Sequence, residues 1–217
     1  VSTLTTPEIA GLFARSSPRF GLRVVRAEGP YRHLVTTSRS ERDRRYEVVT
    51  WPGSLVVRDT DDSATYTFSG PVDLTGFARA EYERGVDVRR WNRLMASGSS
   101  LVMAYSEREF RRRLAVELAA VEPECSGITA AWDAFLDERD VEEPEEAYAA
   151  LATFAYQGET FLWLTHETGF EDYHFAFVWA CHIGAWAVTR YAADHAPEPT
   201  APPMVQSRGV DSLRWSA

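Results

Sequence analysis

Between residues 21 and 69, five short segments rich in Val, Thr, Tyr and Phe follow one another so closely that they leave the chain few possible paths. They cover residues 21–28, 31–37, 45–51, 54–59 and 65–69, punctuated by Gly29-Pro30, Pro52-Gly53 and Asp61-Asp62. Parallel neighbours need a crossover of a dozen or more residues, and no gap here exceeds seven. The segments are therefore expected to pair as an antiparallel meander. Pro52 presets the first central turn position and Gly53 supplies the positive φ of the second, so Trp51 and Leu55 close into a hairpin. Trp51, Tyr66 and Phe68 are expected to pack against the helices that follow.

The flanking pattern is helical. Thr6-Pro7-Glu8 ahead of Ile9, Leu12 and Phe13 reads as a helix start, with Thr6 as N-cap and Pro7 at the first helical position. After Gly70-Pro71 the helical pattern continues. Ser106 and Glu109 have capping-box spacing, and Phe110, Leu114, Leu118 and Val121 fall on one stripe before Pro123. Further helices are expected near 127–137 and 144–156. A last one, near 171–193, carries Ala176, Ala180, Gly184 and Ala187 on one side and Phe175, Trp179, His182 and Trp186 on the other. Being apolar nearly all round, it should be a buried central helix, its small side admitting a close neighbour. The expected fold is α+β: an antiparallel sheet of about five strands (21–69) packed against C-terminal helices. Residues 1–195 read as a single domain, with the helical part at 72–195, and 196–217 as a Pro-rich tail.

Charge is unevenly distributed. All 23 basic residues are arginine; residues 1–115 carry 19 of them against 14 acids, whereas 116–217 carry 4 against 18, and the chain is net −9. Such polarity can orient a charged partner before contact, although coding bias alone can produce an all-arginine basic set. The absence of lysine argues against Schiff-base enzymes and Walker-type ATPases. Two cysteines, Cys125 and Cys181, are too few for a disulfide scaffold or a thiolate zinc site. Val1 through Thr6 show no secretory pattern, and the longest apolar stretch, 175–188, falls short of the roughly 20 residues that span a bilayer. A soluble cytoplasmic protein without membrane contact, cofactor or metal is expected.

Three sets of residues are candidates for chemistry. Arg39, Arg42, Arg44 and Arg45 lie between two strand segments, with Glu41 and Asp43 among them, and can present guanidinium forks to phosphate or carboxylate; a solvated hairpin loop is the plainer alternative. Arg108 and Arg112 share the outer face of the capped helix and extend the candidate ligand- or partner-binding set. His166, Glu167 and His174 are the alternative catalytic set, able to move protons if the loop between them folds back. No nucleophile elbow, zinc-protease, dinucleotide or Walker signature appears. The acidic run 137–146 reads as a solvated face or an interaction patch, and direct nucleic-acid binding is not expected, least of all by this half.

The block Val49-Thr50-Trp51-Pro52-Gly53-Ser54-Leu55, followed by Tyr66-Thr67-Phe68-Ser69, resembles a family of small uncharacterised proteins encoded in phage and prophage genomes. The Trp91 region, the helix start at Tyr105 to Phe110, and the Tyr173-His174-Phe175, Trp179-Ala180-Cys181, Trp186 and Tyr191 pattern strengthen the resemblance. Where the family has a glycine-containing turn before the tyrosine, this chain has Asp59-Thr60-Asp61-Asp62-Ser63-Ala64. The resemblance implies a viral accessory protein and no particular reaction.

Two functions compete. One is a non-enzymatic accessory factor acting by protein–protein interaction on a host or viral complex, such as a host defence or nucleic-acid-processing system. The alternative is an enzyme or sequestering receptor for a phosphorylated small molecule such as a nucleotide, with the Arg39–Arg45 loop as the clamp for a small anionic ligand.

Overall fold

The computed structural model describes residues 4–38, 44–70, 73–98, 102–166 and 170–195. The meander is present and the fold is α+β. Strands β1 (Phe20–Glu28), β2 (Tyr31–Ser38), β3 (Arg45–Trp51), β4 (Ser54–Asp59) and β5 (Thr65–Ser69) pair antiparallel in sequence order. Gly53 has φ +73°, as its turn requires. A sixth strand, β6 (Met95–Ser97), adds to β5 beyond the five expected. Three residues give too little alternation to be read locally; pairing with Thr67 and Phe68 makes them a strand.

Four helices cover one face of the sheet: α1 (Thr6–Ser16), α2 (Leu74–Arg84), α3 (Val88–Asn92) and α7 (Phe175–Asp194). Alternation sends Leu34, Tyr46, Val48, Leu55, Val57, Tyr66 and Phe68 into this layer, each 3% exposed or less. Helix α7 is the centre of it, buried on nearly every side from Phe177 to Val188. Its small side faces β4: a Cβ added to Gly184 would lie 3.1 Å from Val57 Cγ2, 3.3 Å from Trp91 Cη2 and 3.5 Å from Leu55 Cδ2. Its aromatic side meets Phe13 and Phe20, with Phe13 and Trp179 edge to face at 5.2 Å.

The start of α7 is later than expected. Residues 171–173 form a strand, β10 (Glu171–Tyr173), paired antiparallel with β7 (Met103–Tyr105). Bonds from the Ser106 N–H to Phe170 O (2.7 Å) and the His174 N–H to Val102 O (2.8 Å) extend this ribbon at both ends. Between its two strands the chain builds a second core from α4 (Glu107–Val121), α5 (Ile128–Leu136) and α6 (Pro144–Thr153), centred on Phe110, Leu114, Ile128, Trp132 and Leu151. A two-residue hairpin of β8 (Ala155–Tyr156) and β9 (Glu159–Thr160) follows α6, then a 3₁₀ segment at Leu162–His166. Of the later helices, then, α7 belongs to the sheet and α4–α6 to their own core, because the stripes of α4 and α5 close on each other. The caps also shift. Thr5, not Thr6, caps α1 in a full box with Glu8, and Ser106 caps α4 while Glu109 turns to Arg112 because Phe170 already takes the Ser106 N–H.

Candidate functional site

Where α1 ends and α7 begins, the edges of both layers leave a cleft of about 300 Å³ lined by Ser16, Arg19, Phe20, Ser38, Arg44, Tyr46, Phe175 and Trp179. Each residue is placed by its element. Arg19 closes the 3₁₀ turn after α1, Phe20 opens β1, Ser38 ends β2, Arg44 and Tyr46 enter β3, and Phe175 and Trp179 occupy the first turns of α7. Among the described residues the lining contains no carboxylate and no imidazole. Its polar groups are guanidinium, hydroxyl and indole, and its walls are aromatic.

The electrostatics favour an anion. Arg19 has no ion-pair partner among the described residues, and Arg44 has only a long contact with Asp62, 3.8 Å from Nη2 to Oδ2. The Tyr46 hydroxyl proton and the Trp179 indole N–H are both sealed from solvent and have no acceptor among the described residues, the Tyr46 oxygen having Arg44 beside it as a donor. Arg44 lies close enough to Tyr46 to favour its ionised form, yet burial dominates and pushes the phenol up to about 12. Tyr46 therefore keeps its proton at neutral pH, and whatever Arg44 gives the oxygen, that proton has no acceptor. Buried donors are costly when unsatisfied, so such a wall gains from any ligand that brings an acceptor within reach.

The candidates from the sequence divide. Arg44 lines the cleft, while Arg45 turns to the opposite face of the sheet and is held by Glu47 at 3.2 Å. Arg39 and Arg42 lie outside the described residues, as does Glu167. Arg108 reaches Asp172 across the ribbon, and Arg112 Nε sits 2.7 Å from Glu109 Oε2. Arg108 thus ties α4 to the ribbon, whereas the Arg112 pair stays within α4. His174 caps α7, its Nδ1 accepting the Ala176 N–H at 3.2 Å, which fixes the ring one residue before Phe175 of the cleft. His166 belongs to the 3₁₀ segment of the helical lobe.

Arg19, Tyr46 and Trp179 were not among the sequence candidates. Strand parity was the available signal for Tyr46, which shares the inward set with Val48 and Thr50. Trp51 shows the same rule in reverse. Expected in the core, it falls one step off that parity and stands outward, 38% exposed, whereas Tyr66 and Phe68 are buried as expected. No three His, Cys, Asp or Glu side chains among the described residues gather as a metal site, and no described helix is long and apolar enough to cross a membrane. Compared with protein-family models, curated proteins and solved structures, the chain matches none of them.

Proposed function

We propose that this chain is a non-catalytic binding protein that takes up a phosphorylated small molecule, of nucleotide size, in the cleft beside α7. The observation that carries this reading is the lining itself: two arginines and two unsatisfied buried donors around aromatic walls, with no carboxylate among the described residues. Arg19 is exposed and Arg44 half-buried, so phosphate is met at the mouth by guanidinium forks. Phe20, Phe175 and Trp179 offer a ring or apolar moiety its place below. A volume near 300 Å³ sits at the small end of ligand pockets. Nothing in this lining is set to accept a proton at neutral pH, which supports holding a ligand over transforming it. Sequestration of this kind suits the accessory setting that the sequence resembles.

Thermal-shift and calorimetric titration with inorganic phosphate, pyrophosphate and mononucleotides tests the proposal. A true ligand at 100 times its Kd adds about 2.7 kcal/mol of stability. Arg19→Ala and Arg44→Ala should each weaken binding, and Arg112→Ala should leave it unchanged. A flat panel, or undiminished affinity in Arg44→Ala, sinks the reading.

A second reading rests on a different surface. In the helical lobe the acids Asp137, Glu138, Asp140, Glu142, Glu143, Glu145 and Glu146 are all exposed around the start of α6. With Arg139 as the one cation among them, also exposed and lying over the Phe135 ring, they offer a basic protein partner a strongly acidic patch, consistent with an accessory factor that acts by protein–protein contact. Affinity capture that recovers a stoichiometric partner with the native chain and loses it when these acids are amidated by substitution supports this reading; equal capture by both refutes it.

A further inference from the structure

The face of the sheet turned away from α7 carries a second kind of surface. The register, which slips by one residue at a β-bulge between Val24 and Arg26, points Arg23, Arg26 and Glu28 of β1, Tyr31 and His33 of β2, Arg45, Glu47, Val49 and Trp51 of β3, and Arg58 of β4 outward. Continuing the register of Arg32 with Thr50 sets Tyr31 directly beside Trp51. Tyr31 is 55% exposed and Trp51 38%. Neither ring packs on another ring or on an arginine among the described residues. A depression of about 520 Å³ opens at their end of the sheet, lined also by Arg26, Glu28, His33 and Val49, with Arg32 and Thr50 reaching it from the α7 side.

Charge completes the pattern. The outward set holds four arginines against two glutamates, a local positive excess on a chain of net charge −9. Glu28 holds Arg26 at 2.8 Å and Glu47 holds Arg45 at 3.2 Å. Arg23 and Arg58 have no ion-pair partner among the described residues; Arg58 stands opposite Glu47, which Arg45 already occupies. From Trp51 to the row of Glu47 and Arg58 is four residues, about 13 Å along the strand. One short extended ligand can touch both rings and the unpaired cations.

We infer that this outer face is a platform for single-stranded nucleic acid, with Tyr31 and Trp51 stacking unpaired bases and Arg23 and Arg58 meeting backbone phosphates. Base stacking asks for exposed rings with nothing on them, and the phosphate chain asks for a positive surface beside the rings. A duplex keeps its bases stacked on one another, so it offers these rings no faces. The inference departs from the expectation of no direct nucleic-acid binding by resting on residues 23–58, outside the acidic half: net charge averages over surfaces that a ligand meets singly. It is independent of the cleft, which lies on the other side of the sheet.

Fluorescence anisotropy with labelled oligothymidylate, against the full chain at about 50 mM and about 200 mM salt, tests the inference. Binding to the single strand should exceed binding to a duplex of equal length. Trp51→Ala and Tyr31→Ala should each weaken it by on the order of tenfold, and Trp51→Phe should restore most of the loss. Arg23→Ala and Arg58→Ala should each lower the slope of log affinity against log salt by about 0.7. Unchanged melting temperatures in these surface variants separate lost binding from lost folding. The inference is overturned by absent binding at low salt, by indifference to Trp51→Ala, or by equal affinity for duplex. Equal competition by polyglutamate, meaning an acidic-protein site, or concentration-dependent dimerisation abolished by Trp51→Ala, meaning a self-interface, overturns it as well.

Discussion

His182 makes folding stability depend on pH in a way that can be isolated. The residue is 8% exposed on α7, its ring stacked on Phe13 with centroids 5.0 Å apart and planes 24° apart, and its Nε2 has no hydrogen-bond partner among the described residues. Burial holds the charged ring out of the folded protein and lowers its pKa from 6.5 to about 4. In the unfolded chain the ring takes its proton near pH 6.5, while in the folded chain it takes one only near pH 4. Between these values the unfolded state binds more protons, so this contribution is complete above the unfolded pKa and is lost as pH falls. At roughly 1.4 kcal/mol per pH unit the loss reaches about 3 kcal/mol at most, and about 2 kcal/mol between pH ~7 and ~4.5. Urea unfolding followed by circular dichroism at those two pH values measures it, in the native chain and in His182→Phe, which keeps a flat ring against Phe13. Carboxylates titrate in both proteins and cancel in the comparison. The variant should therefore lose about 2 kcal/mol less on acidification. Parallel losses in the two proteins would falsify the assignment of His182 as a desolvated neutral imidazole.

Two further perturbations test the packing of the sheet layer. Gly184→Leu drives a side chain into Val57, Leu55 and Trp91, and overpacking of this kind costs about 1–3 kcal/mol, read as a fall of several degrees in Tm; an unchanged Tm would mean that α7 does not press on β4 there. Glu81 is 1% exposed, held by Arg90 Nη1 at 2.8 Å and by the Asp87 N–H at 2.8 Å. Arg90→Ala strands that carboxylate and should cost about 2–3 kcal/mol, somewhat below a fully buried pair because Arg90 itself touches water. Adding Glu81→Gln should recover part of the loss, since the amide still accepts from Asp87, and a denaturation double-mutant cycle showing strict additivity would refute the pairing.

The legible part of the fold is the part whose causes are local. Gaps of at most seven residues force the meander, and the bounds of β3, β4 and β5 match those read from composition. What was missed is decided by distant residues. Glu171-Asp172-Tyr173 is compatible with a helix or a strand, and Met103–Tyr105 settles it by pairing. The apolar stripe of α4 says that the helix has a buried side without saying which core it joins. That the chain leaves the sheet at Val102, builds a lobe and returns through the same ribbon depends on contacts more than sixty residues apart, such as Arg108 with Asp172.

Charge summed over half the chain averages segments too long for the chemistry. The arginines of α4 balance the first half in a count but not on the surface. Arg111 pairs with Glu107, Arg112 with Glu109 and Arg113 with Glu117, at the three- and four-residue spacings that helices favour. Strands have their own version of the rule, since residues two apart share a face: Arg26 finds Glu28 and Arg45 finds Glu47. Applied to Arg23, whose like-facing neighbours are Gly21 and, across the bulge after Val24, Arg26, and to Arg58, flanked by Val56 and Thr60, it finds no acid at that spacing. Those two are the outer-face arginines without an ion-pair partner among the described residues. The outer-face cations left unpaired are thus the ones whose own element offers no counter-charge at its natural period. Applied residue by residue, that criterion separates Arg23 and Arg58 from the arginines of α4, as summing over halves of the chain cannot.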